Sequence, residues 1–137
     1  MWSTQHTIIT DVSKEQIWQL WSDVEHWNKW DHDVKWCKLD GNFEVGTTLT
    51  LQPVEGPTST SVITQCDYLQ GFTNIAKLPL SKMNFIHNIT EHESGVALTH
   101  RVEISGILGF LFAKIIGEKI ANELPSAMEN LVKLAKQ

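Results

Sequence analysis

Two periods of apolar and polar residues divide the chain into a helical end and a region of strands. From Phe112 to Ala135 apolar residues recur at steps of three or four, which is the spacing of one helical face. This pattern predicts a long C-terminal helix over residues 106–136, roughly 40 Å long at ~1.5 Å per residue. Pro125 lies within the apolar stripe and cannot donate a backbone hydrogen bond, so we expect a bend there. A helix of this length needs a second layer of secondary structure packed along its apolar face.

The preceding residues read mostly as strands bounded by turn residues. Ser13 and Gln16 form a capping-box pattern for a short helix after the first strand, and the spacing of Trp27 and Trp30 predicts a second short helix. The turn at residues 93–95 joins two alternating segments into a hairpin. The predicted strands cover residues 2–10, 35–39, 47–52, 58–68, 71–76, 83–90 and 96–104.

This order of elements predicts an α+β fold with two layers. An antiparallel sheet of many consecutive strands curls, and the long helix can fill its concave face. Neither layer buries its apolar side alone, and we expect a cavity wherever the helix does not press fully on the sheet. A chain of 137 residues is the size of one domain, so we predict a single domain over residues 1–137.

Composition and charge narrow the classes of function. The net charge of −5, with no polybasic cluster, argues against nucleic-acid binding. No apolar run is long enough to span a membrane and the N-terminus does not resemble a signal peptide, so we expect a cytoplasmic protein without stable membrane insertion. Cys37 and Cys66 stand apart without metal spacing, and we interpret both as reduced core or near-core residues.

Four segments of the chain resemble one known superfamily. They are SKEQIWQLWSDVEHWNKWD, GNFEVGTTLTLQP, GVALTHRVEISGILGFL and LPSAMENLVKLA, of which the tryptophan-rich phrase from Trp18 to Asp31 is the most specific. The chain resembles, over essentially its whole length, the START-related (SRPBCC) superfamily, which includes polyketide cyclase/dehydrase and lipid-transport proteins and the birch-pollen-allergen (Bet v 1-like) fold. The resemblance implies a helix-grip fold with two short helices between strands 1 and 2. It also implies a deep hydrophobic cavity, but no fixed chemistry.

The candidate site residues follow from strand alternation and from the tryptophans. In the hairpin, His87 shares a strand face with Phe85, and His100 shares one with Leu98, so both imidazoles should point to the concave interior. They are candidates for ligand orientation or for catalysis, although a buried histidine is more often a satisfied core residue. The full predicted ligand-binding set is Trp27, Trp30, Leu49, Leu51, Phe72, Phe85, His87, Leu98, His100, Phe112, Ile116 and Ile120.

Other polar groups are weaker candidates. His26 and the run Asp31 to Asp33 match no metal-ligand spacing, and we interpret them as a solvated loop. Arg101 and Glu103 alternate with the inward residues and are expected on the solvent face. We predict no metal and no cofactor, since the chain has no zinc, dinucleotide or phosphate-loop motif.

Three hypotheses of function remain open. The leading one is a carrier or binding protein for a small hydrophobic molecule such as a lipid or polyketide-like compound, acting as a monomer or weak homodimer. The alternative is a cyclase- or dehydratase-type enzyme that uses His87 or His100 as general acid or base. A protein–protein module would need an exposed apolar patch, for which Leu108 to Phe112 is the candidate.

Overall fold

Seven antiparallel strands form one curved sheet in the computed structural model, which describes all 137 residues. The strand order is β1-β7-β6-β5-β4-β3-β2, so β1 and β2 are the two edges. The strands are β1 Trp2–Thr10, β2 Val34–Leu39, β3 Thr48–Pro53, β4 Ser59–Asp67, β5 Gly71–Leu78, β6 Ser81–His92 and β7 Gly95–Gly106. Apart from β1, each strand pairs with its neighbour in sequence, as short turns favour.

Two short helices connect β1 to β2. Helix α1, Lys14–Ser22, begins at the predicted capping box, in which Gln16 N donates to Ser13 Oγ and Ser13 N donates to Gln16 Oε1. A 3₁₀ helix follows at Val24–Lys29. Ile17, Trp21 and Val24 are buried beneath this helical corner.

The C-terminal helix crosses the concave side of the sheet. It comprises an α-helical turn at Gly109–Phe112, a π-helical turn at Ala113–Gly117 and a regular α-helix at Glu118–Ala135. Pro125 lies inside this last segment, and the change in hydrogen-bonding pattern occurs at the π-helical turn instead of at the proline. No helix is long and apolar enough to cross a membrane. The predicted α+β architecture, a curved sheet around a long helix, is confirmed.

Two separate hydrophobic clusters join the layers. The larger one gathers α1, the 3₁₀ helix, the sheet and the second half of the C-terminal helix, where Met128 and Leu131 are fully buried. The smaller one has Met83, Val102 and Ile104 at its centre and packs against the first half of that helix. The helix is therefore held firmly at one end of the sheet and more loosely at the other.

Candidate functional site

The first half of the C-terminal helix covers the sheet incompletely. Phe112, Ile116 and Ile120 pack toward the smaller cluster, as does Phe85 on β6, yet all four side chains remain partly exposed. Further along the same helical face, Leu131 is completely buried. Apolar side chains that face an opposing layer without being covered by it leave room between the layers. We call the space lined by Phe85, Phe112, Ile116 and Ile120 the inner groove.

A row of three histidines crosses the concave face next to this groove. In the strand register His6 on β1 lies opposite His100 on β7, and His100 lies opposite His87 on β6. Directly opposed residues of an antiparallel sheet point to the same face. The rings of His87 and His100 are 4.7 Å apart between centroids, and Phe72 stacks on His87 at 3.9 Å.

Hydrogen bonds assign the proton on each imidazole of the pair. The indole Nε1–H of Trp21 donates to His100 Nε2 at 3.2 Å, so the ring proton of neutral His100 is on Nδ1. His87 Nδ1 lies 3.1 Å from the carbonyl oxygen of Phe72, which only accepts, so His87 carries its proton on Nδ1 and leaves Nε2 as an acceptor. His100 Nδ1–H and His87 Nε2 make no hydrogen bond within the protein.

Burial keeps both rings neutral at neutral pH. Loss of hydration lowers the pKa of His87 to about 4, and the hydrogen bond to the Phe72 carbonyl opposes that effect only in part. Burial also holds the pKa of His100 well below its ordinary value, with charge repulsion from His87 and His6 adding to it. Although His87 lies deep in the protein, it keeps some accessible surface.

Two further polar groups on the interior side have unused hydrogen-bonding capacity. Trp30 is 4% exposed, packs 6.1 Å from the His100 ring, and its indole Nε1–H has no partner. Asn74, 5% exposed, lies opposite Phe85 and donates from Nδ2 to Ser61 Oγ at 3.0 Å, but its Oδ1 has no partner. Exchanging the amide oxygen and nitrogen of Asn74 would still leave one of the two atoms without a partner, so the unpaired atom does not depend on how the amide is oriented. Buried polar atoms without partners are uncommon and point to a missing ligand atom or water.

The predicted ligand-binding residues fall into three places. Phe85, Phe112, Ile116 and Ile120 line the inner groove. Leu49, Leu51 and Leu98 belong to the larger cluster, where Leu49 and Leu98 are buried in the core and Leu51 packs at its margin. The other five form a packed aromatic and imidazole cluster, namely Trp27, Trp30, Phe72, His87 and His100.

The tryptophan end of the interior is therefore filled by side chains. Trp27 donates its indole N–H to the carbonyl of Trp21 at 2.9 Å, which fixes its ring in this cluster. The incompletely covered apolar surface lies beside this packed cluster. The sequence analysis did not predict His6 as a site residue. Strand alternation places His6 on the same face of β1 as Thr4 and Ile8, but the pairing of β1 with β7, which brings His6 beside His100, is not visible in the sequence.

Two depressions lie away from the histidine row. One, of about 420 Å³, lies where Trp2, Gly109, Phe110 and Lys114 meet at the start of the helix. The other, of about 410 Å³, is polar and contains Asp31, His32 and Asp33.

The polar depression is dominated by carboxylates and one amine. Lys119 Nζ lies 3.3 Å from Asp33 Oδ1 across its mouth. Burial raises the pKa of Asp31, and burial together with the charge of Asp33 raises the pKa of Glu123. No group of three or more histidine, cysteine, aspartate or glutamate side chains is arranged to hold a metal ion.

Comparison with known proteins identifies both a family and a fold. A family model described as polyketide cyclase / dehydrase and lipid transport matches residues 1–136. No curated protein matches the sequence. Hypothetical protein jhp0584 from Helicobacter pylori superposes with a TM-score of 0.80 at 11% identity, covering 97% of this chain and 87% of that one.

Two solved structures with named activities share the same fold. The di-domain ARO/CYC StfQ from the steffimycin biosynthetic pathway has a TM-score of 0.80 at 11% identity, with 98% of this chain and 50% of that chain covered. This chain thus spans half the length of StfQ. Norcoclaurine synthase from Thalictrum flavum has a TM-score of 0.70 at 15% identity, with 99% and 87% covered. At such identities the likeness shows the fold alone.

Proposed function

Because this chain belongs to the polyketide cyclase/dehydrase and lipid transport family, we propose that it binds a small hydrophobic molecule, lipid or polyketide-like, in the inner groove. Membership also confirms the resemblance to the START-related superfamily. The observation that carries the proposal is the incomplete burial of Phe85, Phe112, Ile116 and Ile120 between two layers that otherwise pack closely. A ligand in the groove covers these surfaces and gains ~25 cal/mol per Å² of apolar area removed from water.

The polar end of the ligand lies at the histidine row. His87 is two residues from Phe85 on the same strand face, about 7 Å along β6. There His100 Nδ1–H donates and His87 Nε2 accepts, so a hydroxyl or carbonyl oxygen on the ligand finds partners. The apolar groove supplies affinity, and these few polar atoms orient the bound molecule.

This function is tested by purifying the protein with an intact groove and with an altered one, and comparing the bound molecules. Protein isolated from expressing cells under native conditions is extracted with organic solvent, and the extract is analysed by mass spectrometry for a molecule present in molar proportion. Ile120→Glu places a charge in the groove, and Asn122→Glu places the same charge on the exposed face of the helix. We expect Ile120→Glu to lose the molecule and Asn122→Glu to retain it, with both variants folded.

Two results would contradict the proposal. One is equal ligand content in the two variants. The other is the absence of any copurified molecule, together with a fluorescent apolar dye that binds Ile120→Glu as well as it binds the parent.

Catalysis by the same histidines is the second hypothesis, and the adjacent donor and acceptor are the feature that favours it. His100 Nδ1–H would polarise a carbonyl while His87 Nε2 takes a proton from the neighbouring carbon. With its pKa lowered to about 4, however, His87 is a weak base at neutral pH. Binding is therefore favoured over catalysis. StfQ, which shares this fold, is an ARO/CYC protein, so a cyclase assay tests this second hypothesis.

A further inference from the structure

Large apolar side chains stand in solvent at one end of the molecule. Leu80 is 67% exposed at the β5–β6 turn, while Ile107, Phe110 and Ile115 at the start of the C-terminal helix are 77%, 72% and 66% exposed. Single exposed apolar residues are ordinary, but a contiguous set on one surface marks an interaction site. We call this surface, together with the less exposed Leu111, the apolar end.

The two segments of the apolar end are held against each other. Leu108 N donates to the carbonyl of Leu80 at 3.2 Å, and a Cβ on Gly106 would collide with the backbone of Leu80 and Ser81. The turn and the helix start therefore present one surface. Ile107 precedes the helix and Phe110 lies in its first turn, so both belong to the short segment that this hydrogen bond ties to the β5–β6 turn.

Leu80 combines an exposed side chain with an unusual backbone conformation. Leu80 has a φ of 50°, in the left-handed region that residues with a Cβ rarely adopt. A buried leucine would repay such strain by packing, but this side chain faces solvent. Packing of the side chain therefore does not offset the cost of this backbone conformation.

The charge around the apolar end is mainly positive, and Glu118 is the carboxylate next to it on the helix. Lys77 and Lys82 flank the β5–β6 turn, and Lys114 lies between Phe110 and Ile115 on the helix. Residues 68–90 and 104–117 contain no aspartate or glutamate, although the whole chain carries a net charge of −5. The apolar surface therefore has a basic rim on an otherwise acidic protein.

We propose that the apolar end docks on the surface of a lipid bilayer that contains anionic lipids. Leu80, Ile107 and Phe110 insert among the headgroups and upper acyl chains, while the lysines contact phosphate groups. The protein lies on the membrane without crossing it, since no helix is long enough to do so. The depression of about 420 Å³ beneath Phe110 and Lys114 gives a lipid headgroup room beside the inserted side chains.

Charge argues for this occupant over a second copy of the chain. A symmetric dimer through the apolar end would bring two sets of three lysines together around the contact, against which the helix start offers one carboxylate per chain, that of Glu118. An anionic bilayer instead supplies both the apolar medium and the opposite charge. The proposal does not depend on what occupies the inner groove.

Flotation with lipid vesicles tests the docking. Vesicles of phosphatidylcholine alone are compared with vesicles of phosphatidylcholine and phosphatidylglycerol in equal parts, at low and at physiological salt. We expect the parent protein to float with the mixed vesicles, less so at higher salt because the lysine contribution is screened. Phe110→Ser should weaken binding about tenfold or more, and each lysine-to-glutamine change at Lys77, Lys82 or Lys114 about fivefold.

Matched controls use exposed residues away from the apolar end. Val54→Ser removes an apolar side chain that is 58% exposed, and Lys35→Gln removes an exposed charge on β2, so both should bind as the parent does. Phe110→Ser alters an exposed residue and should keep the parent melting temperature, which separates docking from folding. Equal vesicle binding by Phe110→Ser and Val54→Ser would overturn the proposal. Absence of binding to mixed vesicles would also overturn it. Sedimentation would then show whether the apolar end instead forms a dimer or binds a protein partner, an association that Phe110→Ser should abolish.

Discussion

Replacing His87 by phenylalanine should change how the stability of the protein depends on pH. In the unfolded chain this histidine titrates near the ordinary histidine pKa of 6.5, whereas in the folded protein burial lowers its pKa to about 4. Between those two values the unfolded state binds about one more proton than the native state does. The free energy of unfolding therefore falls as the pH falls, and the loss levels off below about pH 4.

The size of the effect follows from the same two values. Each unit of pKa difference is worth ~1.4 kcal/mol, so lowering the pH from neutrality to about 4.5 should cost roughly 2 to 2.5 kcal/mol through His87. His87→Phe removes this cost and preserves the flat contact with Phe72, whose ring is 3.9 Å from the imidazole. The variant also leaves the Phe72 carbonyl without its side-chain donor, at about 1 kcal/mol. It should be less stable than the parent at neutral pH and more stable near pH 4.5, so that the two stability curves cross.

Urea denaturation followed by tryptophan fluorescence at a series of pH values measures both curves. Protonation of Asp31 and Glu123, whose pKa values are raised in the folded state, adds stability as the pH falls, but these groups are common to both proteins. His100 acts in the same direction as His87. Removing His87 also removes part of the charge repulsion on His100, which adds to the expected difference. Parallel curves for parent and variant over this range would refute the assignment of a neutral, buried His87.

The remaining predictions concern the C-terminal helix. Leu131→Asp should abolish the cooperative thermal transition because it buries a charge without a partner. Ile120→Asp, at a partly exposed position in the first half of the helix, should keep the transition with a lowered melting temperature; identical behaviour would contradict the division of the helix into tight and loose halves. Gly117→Ala should destabilise the protein by about 1 to 3 kcal/mol, because the new Cβ would lie 2.8 Å from the Trp2 ring. Gly109→Ala is the control, since its Cβ meets only ordinary contacts at 3.6 Å and beyond. Equal melting temperatures for the two alanine variants would show that the π-helical turn is not fixed by the close approach of Gly117 to Trp2.

Much of the fold was predictable from local periodicity. The step of three and four gave the C-terminal helix, the Ser13 and Gln16 pair gave the start of α1, and alternation gave the hairpin with both histidines inward. These features depend on which side of an element a residue occupies, and that is determined by the backbone geometry of a helix or a strand. The cytoplasmic location and the monomeric or weakly dimeric state stay predictions.

The candidate site was only partly predictable, because its properties depend on distances between elements. Alternation placed His87 and His100 on the concave face, but the pairing of β1 with β7 brought His6 into the same row. The apolar stripe of the helix did not indicate that Ile116 and Ile120 would remain partly exposed while Leu131 is completely buried.

The sequence by itself determined the elements, their order and the faces that point inward, because each of these is encoded within a few neighbouring residues. Tertiary structure decided where the two layers touch and where they separate. The bulky indoles of Trp21, Trp27 and Trp30 fill one end of the interior, whereas Phe112 and Ile116 at the other end pack against the smaller cluster with only part of their surface buried. Which volumes are filled depends on the packing of residues far apart in the chain, and the groove is the space that this packing leaves open.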